Sequence, residues 1–214
     1  YDARKESPGW DRPGFDAAAW RPTILATPPK GTLEPAPIPP VRVTESLTPV
    51  RVTAVADGVY IADFGKNITG RVAIECSGPA GARIDIRYGE LLYPDGRLNP
   101  MTAVCGQLKN RKLPEGSDEP ATAWQQDSYI LRGKGKESWH ARFTFHGFRY
   151  AEITGFPGTP TPENIRAERL HTDLKPTGHF ACSNDLFNRI HEITVSTLLN
   201  NVQSLQSDCP HREK

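Results

Sequence analysis

Long apolar runs are what this sequence most lacks. Its longest uncharged apolar stretch falls well short of the roughly 20 residues that a membrane-spanning helix needs. The hydrophobic share is 37% and the mean hydropathy is −0.53, which suits a soluble, loop-rich chain. Charge of one sign is missing too: 26 basic residues stand against 25 acidic ones, for a net charge of +1. No long-range field is available to recruit nucleic acid or an anionic membrane, so neither is expected as a partner. A neutral ligand such as a sugar is compatible with this balance. Cysteine is sparse: Cys76, Cys105, Cys182 and Cys209 lie far apart and form no C-x-x-C pair. Structural zinc needs closely spaced ligand pairs, so no metal is expected, and buried free thiols are favoured over a disulfide framework. No basic-then-apolar leader follows Tyr1, so no targeting signal is legible.

Proline and glycine are plentiful, with 20 and 18 residues respectively, which implies many turns and few long helices. Residues 1–40 read as a proline-rich strap and the tail of a preceding domain. Trp10, Phe15 and Trp20 look like anchors that seek burial, and the run Pro35–Pro40 favours extended, polyproline-like backbone. Residues 41–170 read as an antiparallel β-sandwich. Apolar and polar residues alternate over 41–45, 50–55, 58–63, 71–76, 83–88, 127–132, 139–146 and 149–154, between clusters of Gly, Pro, Asn and Asp. In the 139–146 segment the alternation predicts Ala141, Phe143 and Phe145 on one face and Arg142, Thr144 and His146 on the other. The stretch 93–123 reads as a long loop, a type often functional or mobile.

Residues 171–214 read as a linker and one long helix. Pro160-Thr-Pro162 breaks the sandwich, and one more strand is expected at 165–171. Ser183 or Asn184 can cap the free amides of the helix that follows. Leu186, Phe187, Ile190, Ile193, Val195, Leu198, Leu199, Val202 and Leu205 recur at helical spacing. An apolar stripe that wide belongs to a helix buried against other helices. The sequence contains no second helix to receive it. The expected architecture is therefore mainly β: a sandwich followed by a single helix that begins a truncated helical barrel. Both ends read as cut points, at Tyr1 and within the polar cluster that closes at Lys214.

That cluster holds the side chains best suited to chemistry. Asp208, His211, Arg212 and Glu213 follow the helix directly. Glycosidic cleavage needs one carboxyl that stays protonated to donate to the leaving oxygen, with polar neighbours to hold sugar hydroxyls. An adjacent arginine favours ionisation, so such an acid requires burial or a second carboxylate nearby. The spacing alone is more often that of a solvated helix end.

Context sharpens the choice. The segment Ser207-Asp-Cys-Pro-His-Arg-Glu-Lys214 resembles the start of the signature of α-L-rhamnosidases of glycoside hydrolase family 78. Gly178-His-Phe-Ala-Cys-Ser-Asn-Asp-Leu186 is similar to the entry into that family's (α/α)6 barrel. Asp63-Phe-Gly-Lys-Asn67, Gly89-Glu-Leu-Leu92, Tyr129-Ile-Leu131 and Phe145-His-Gly-Phe-Arg-Tyr150 are similar to its accessory β-sandwich. The resemblance extends over essentially the whole chain with its motifs in order. It implies an inverting enzyme that releases terminal α-L-rhamnose from rhamnosides or polysaccharides without a cofactor. By motif position Glu213 is the general acid, and Asp208 and Arg212 hold the rhamnose. A distant Glu, beyond Lys214, acts as base through water. The chain by itself would then be inactive, the rest of the enzyme being its partner.

Other residues carry plainer readings. Asp63 and Asn67 suit a turn-forming pair between strands, ahead of sugar or calcium binding. His140 and His146 share one predicted strand and read as structural rather than metal-binding. Trp10, Trp20, Trp124 and Trp139 can stack on sugars, but packing is the default. Two competing functions stay open. One is a free-standing carbohydrate-binding sandwich braced by its helix. The other is a related glycosidase acting on another deoxy sugar or uronide.

Overall fold

The computed structural model describes residues 1–103 and 124–211. Period-two alternation becomes strands β1 (Val41–Leu47), β2 (Arg51–Ala56), β3 (Val59–Ser77) and β4 (Arg83–Gly89). Two short strands follow, β5 (Leu91–Leu92) and β6 (Leu98–Asn99). Then come β7 (Gln126–Ile130), β8 (Lys136–His140), β9 (His146–Thr154) and β10 (Ile165–Thr172). Helix α1 (Asp185–Asn200) precedes a two-stranded hairpin, β11 (Val202–Gln203) and β12 (Leu205–Gln206). The main sheet runs β1–β10–β3–β9–β4–β7, with β2 and β8 also paired to β3, and these named strands pair antiparallel.

β3 is the spine of this sheet. Its first half pairs with β2 and β9, while its second half pairs with β10 and β8. One strand thus passes from one layer to the other, and the sheet curls over its own core. Ile84, Ile86 and Tyr88 of β4 meet Phe148 and Ile153 of β9, Val72 and Ile74 of β3, and Ile165 of β10, all fully buried. The expected break between two strands near Asp63 is absent. The register of β3 against β9 slips between Asp63 and Ile68, and Gly65 absorbs the irregularity at φ 77°. A bulge adds twist without ending the strand.

The segment expected as one strand over 139–146 divides. His140 lies opposite Ala73 and His146 opposite Gly70, so more residues sit between the two histidines than between their partners. The chain must loop out there. Ala141 turns inward, but Phe143 is 98% exposed instead of sharing its face. The two histidines therefore sit on different strands. The loop expected over 93–123 begins with β6 and a single 3-10 turn at Pro100–Thr102, and its part over 104–123 lies outside the described residues.

The proline-rich segment also differs from expectation. Tyr1 is tied to β7, its amino group donating to the Ser128 carbonyl and its own carbonyl accepting from the Ile130 N–H. From Trp10 onward the contacts are local: Trp10 and Trp20 stay half-exposed and pack on each other, and Trp20 also packs on Phe15. Proline-rich backbone donates few hydrogen bonds, so the segment makes a local aromatic knot and does not adhere along the sheet.

Helix α1 is capped by Asn184, whose side chain accepts from the Leu186 N–H. It stops at Asn200, short of the apolar pattern, which runs on to Leu205. Val202 and Leu205 belong to the hairpin, where Ser204 takes the turn at φ 71°. Tertiary bonds set this ending. The Thr172 hydroxyl donates to the Val202 carbonyl and accepts from the Ser204 N–H, while the Gln203 amide donates to the Leu170 carbonyl.

Candidate active site

The helix is mounted with its polar side inward. Asn200 is buried against β3: its carbonyl accepts from the Thr69 hydroxyl at 2.6 Å, and its side-chain oxygen accepts from the Thr69 N–H. Its side-chain amide donates to the Asn67 carbonyl. Arg169 of β10 donates to Asn200 Oδ1 at 2.9 Å and to the carbonyl and hydroxyl of Ser196. Burial pulls the Arg169 guanidinium below its ordinary value, with Glu45 opposing that pull. The apolar stripe points the other way. Leu186, Phe187, Ile190, Ile193 and Leu198 are all exposed, Ile193 by 63%. A helix that folds to water's disadvantage on this scale presents a contiguous apolar face of the kind that marks an interaction surface.

The bulge in β3 is tied down residue by residue. Asp63 accepts from Nε and Nη2 of Arg149, at 2.9 and 3.0 Å, and also from the Gly65 N–H. Burial pushes this carboxyl upward, but Arg149 and the Gly65 amide outweigh that push and hold it below the usual range. Phe64 enters the core, edge-on to Phe148. Lys66 pairs with Glu45 at 2.7 Å, and the Asn67 amide donates to Glu90 at 2.8 Å. Asp63 thus does bond to the amide two residues on, as a turn-forming residue would, yet it serves a bulge within one strand. With both its oxygens engaged by Arg149, it is structural. Among the described residues there is no group of three or more His, Cys, Asp or Glu able to hold a metal ion.

The chain then brings its polar C-terminal segment to this same seam. The Ser207 N–H donates to the Asn201 carbonyl, and Asp208 beyond it is exposed. Pro210 and His211 are buried. His211 Nδ1 lies 3.8 Å from Glu90, the carboxylate that also accepts from Asn67. Arg212 and Glu213 lie outside the described residues. The sequence reading missed Asn200, Glu90 and Gly147, the last of which faces Pro210 and His211, as parts of this seam. The available signals were faint: a polar residue within an apolar stripe, and a glycine inside a strand pattern.

A second polar cluster lies on the core side of β7 and β9. Asp127 accepts from the Tyr88 hydroxyl at 2.8 Å and the Thr144 hydroxyl at 2.7 Å, and is 3.0 Å from His146 Nε2. Tyr88 and His146 stack with ring centroids 4.0 Å apart. Burial raises the Asp127 carboxyl, but the contacts with His146, Thr144 and Tyr88 together hold it below its ordinary value. His140 instead faces Glu168 at 3.3 Å, with burial lowering its pKa. Cys76 is buried and its thiol is pushed up to about 11, which makes it unreactive.

Residues 53–171 match the family described as the bacterial alpha-L-rhamnosidase concanavalin-like domain. Residues 1–45 match the alpha-L-rhamnosidase N-terminal domain, and residues 175–214 the bacterial alpha-L-rhamnosidase 6 hairpin glycosidase domain. An alpha-L-rhamnosidase of Formosa agariphila is 36% identical over 100% of this chain, which spans 21% of that protein. A solved alpha-L-rhamnosidase from Dictyoglumus thermophilum is 40% identical with a TM-score of 0.85, over 100% of this chain and 22% of its own. The Streptomyces avermitilis alpha-L-rhamnosidase, solved in complex with L-rhamnose, is 35% identical with a TM-score of 0.79, over 99% of this chain and 19% of its own. The chain thus spans about a fifth of the length of these relatives. With more than half of its residues under the concanavalin-like profile and the flanking segments matched in order, the chain belongs to the bacterial alpha-L-rhamnosidase family.

Proposed function

We propose that this chain works as the sandwich and first catalytic helix of an inverting glycoside hydrolase that releases terminal α-L-rhamnose. The observation that carries this reading is the inside-out helix: α1 grips the sheet by Ser196 and Asn200, bares its apolar side, and runs directly toward the acid motif. A helical domain packed on Leu186, Phe187, Ile190 and Ile193 would cover that face. A sandwich braced by its own helix, the non-catalytic carbohydrate-binding alternative, would bury those side chains against the sheet, so their exposure weighs against it. The domain division follows the same reading: residues 1–40 end a preceding domain, 41–170 form the sandwich, and 171–214 begin the barrel.

In this mechanism Glu213 gives its proton to the glycosidic oxygen as the C1–O bond breaks. A water oxygen bonds to C1 from the opposite face and loses its proton to a second carboxylate supplied by the helical domain. An inverting pair stands about 6.5–9.5 Å apart to admit that water. Asp208 and Arg212 hold the rhamnose hydroxyls. No cofactor or metal takes part, and the ligand is a rhamnose-containing glycoside or polysaccharide. Proton NMR of an aryl α-L-rhamnoside treated with the full-length protein tests the reading. β-L-Rhamnose is expected as the first product, with no turnover by the 214-residue chain alone. An α-anomer appearing first, or rhamnose released by the short chain, would overturn it.

A further inference from the structure

Gly147 is a glycine that its backbone does not require. It lies within β9, opposite Thr69, and is absent from the glycines with positive φ. Any residue can adopt that extended conformation, and glycine weakens a strand interior by its entropy and by leaving no side chain to pack. What a side chain would lack is room. A Cβ on Gly147 would lie 3.1 Å from Pro210 Cγ, 3.2 Å from His211 Cβ and 3.5 Å from His211 N. The bare strand is therefore the seat on which the C-terminal motif rests. Two more contacts fix that seat from its sides. Thr69, the cross-strand neighbour of Gly147, donates to Asn200, and Asn67 holds Glu90 beside His211.

We propose that Gly147 is a positioning residue for the general acid, so that the sandwich aims the catalytic motif and does more than support the barrel. This rests on the reading of Glu213 as the acid. Glu213 is two residues beyond His211 in the sequence. In this proposal a displacement of the His211 backbone carries over to the acid. Misplacing a catalytic group by about 1 Å can cost on the order of 100-fold in rate. A few tenths of an ångström, as an added methyl would impose, costs less.

The test uses the full-length protein and a series of aryl and alkyl α-L-rhamnosides of increasing leaving-group pKa, with Gly147→Ala and Gly147→Val beside wild type. A displaced acid harms only those reactions that need a proton on the leaving oxygen. The expected result is a kcat loss that grows along the series, roughly tenfold or more for Gly147→Val on an alkyl glycoside. It is small on a dinitrophenyl rhamnoside and graded so that Gly147→Ala lies between, with KM little changed. A loss equal for all leaving groups would reduce Gly147 to a packing residue, and unchanged kinetics in both variants would remove the role altogether. If Gly147→Val fails to fold, the leaving-group dependence of Gly147→Ala decides. Wild type that hydrolyses no rhamnoside of the series would instead sink the functional reading beneath it.

Discussion

A buried carboxylate such as Asp127 survives in a sheet core only because its lone pairs are spoken for. Tyr88, Thr144 and His146 supply that satisfaction, and they outweigh burial in setting its pKa. The sign of the resulting pH dependence follows from linkage. The folded carboxyl titrates below its unfolded value, so its contribution is complete above about pH 4 and is lost as pH falls through the folded pKa. Acid unfolding followed by circular dichroism should therefore show wild type losing stability below about pH 4 more steeply than Asp127→Asn, which has no such proton to take up. Equal slopes in that window would mean that the cluster is not coupled to folding. Little of this was legible in the sequence. His146 and Asp127 are 19 positions apart and meet only because β7 and β9 flank β4. The spacing of His140 and His146 pointed to a shared strand that does not exist.

At the level of elements, legibility tracks how local the cause is. The strands of β4 and β10 follow from alternation that needs no knowledge of partners. The start of α1 follows from Asn184, a local cap. The continuity of β3 through Gly65 was hidden, because Asp63 and Asn67 read as a turn-forming pair until Arg149 arrives from another strand to hold Asp63. The end of α1 was hidden for the same reason: apolar periodicity continues to Leu205, and tertiary bonds such as those of Thr172 and Thr69 set where the helix yields to the hairpin. Asn200 is the joint between the two elements. Truncating it to alanine removes one acceptor of a buried guanidinium and two side-chain bonds to β3, at a cost of about 2–3 kcal/mol; the main-chain acceptor of Thr69 persists but loses its fixed position. Hydrogen exchange should show faster opening of α1 and the following hairpin in Asn200→Ala, with the β4–β9 core unaffected. Protection in α1 equal to wild type would mean that the joint does not hold the helix.

For the whole molecule, the two faces of α1 organise everything else. The polar side fastens the C-terminal segment to the curled sheet, and the apolar side is exposed on the segment that matches the 6 hairpin glycosidase domain, the face that the proposed helical domain would cover. The sequence pattern identified that mismatch between apolar surface and available cover, and the exposed residues of α1 bear it out. The side chains proposed for the chemistry rest on the motif that ends the chain, since spacing alone more often fits a solvated helix end. The most direct measurement is the turnover of an alkyl α-L-rhamnoside by the full-length protein, wild type against Glu213→Gln. General acid catalysis contributes on the order of 10²–10⁴ in rate. The account predicts a kcat loss in that range for Glu213→Gln, whereas turnover equal to wild type would contradict it.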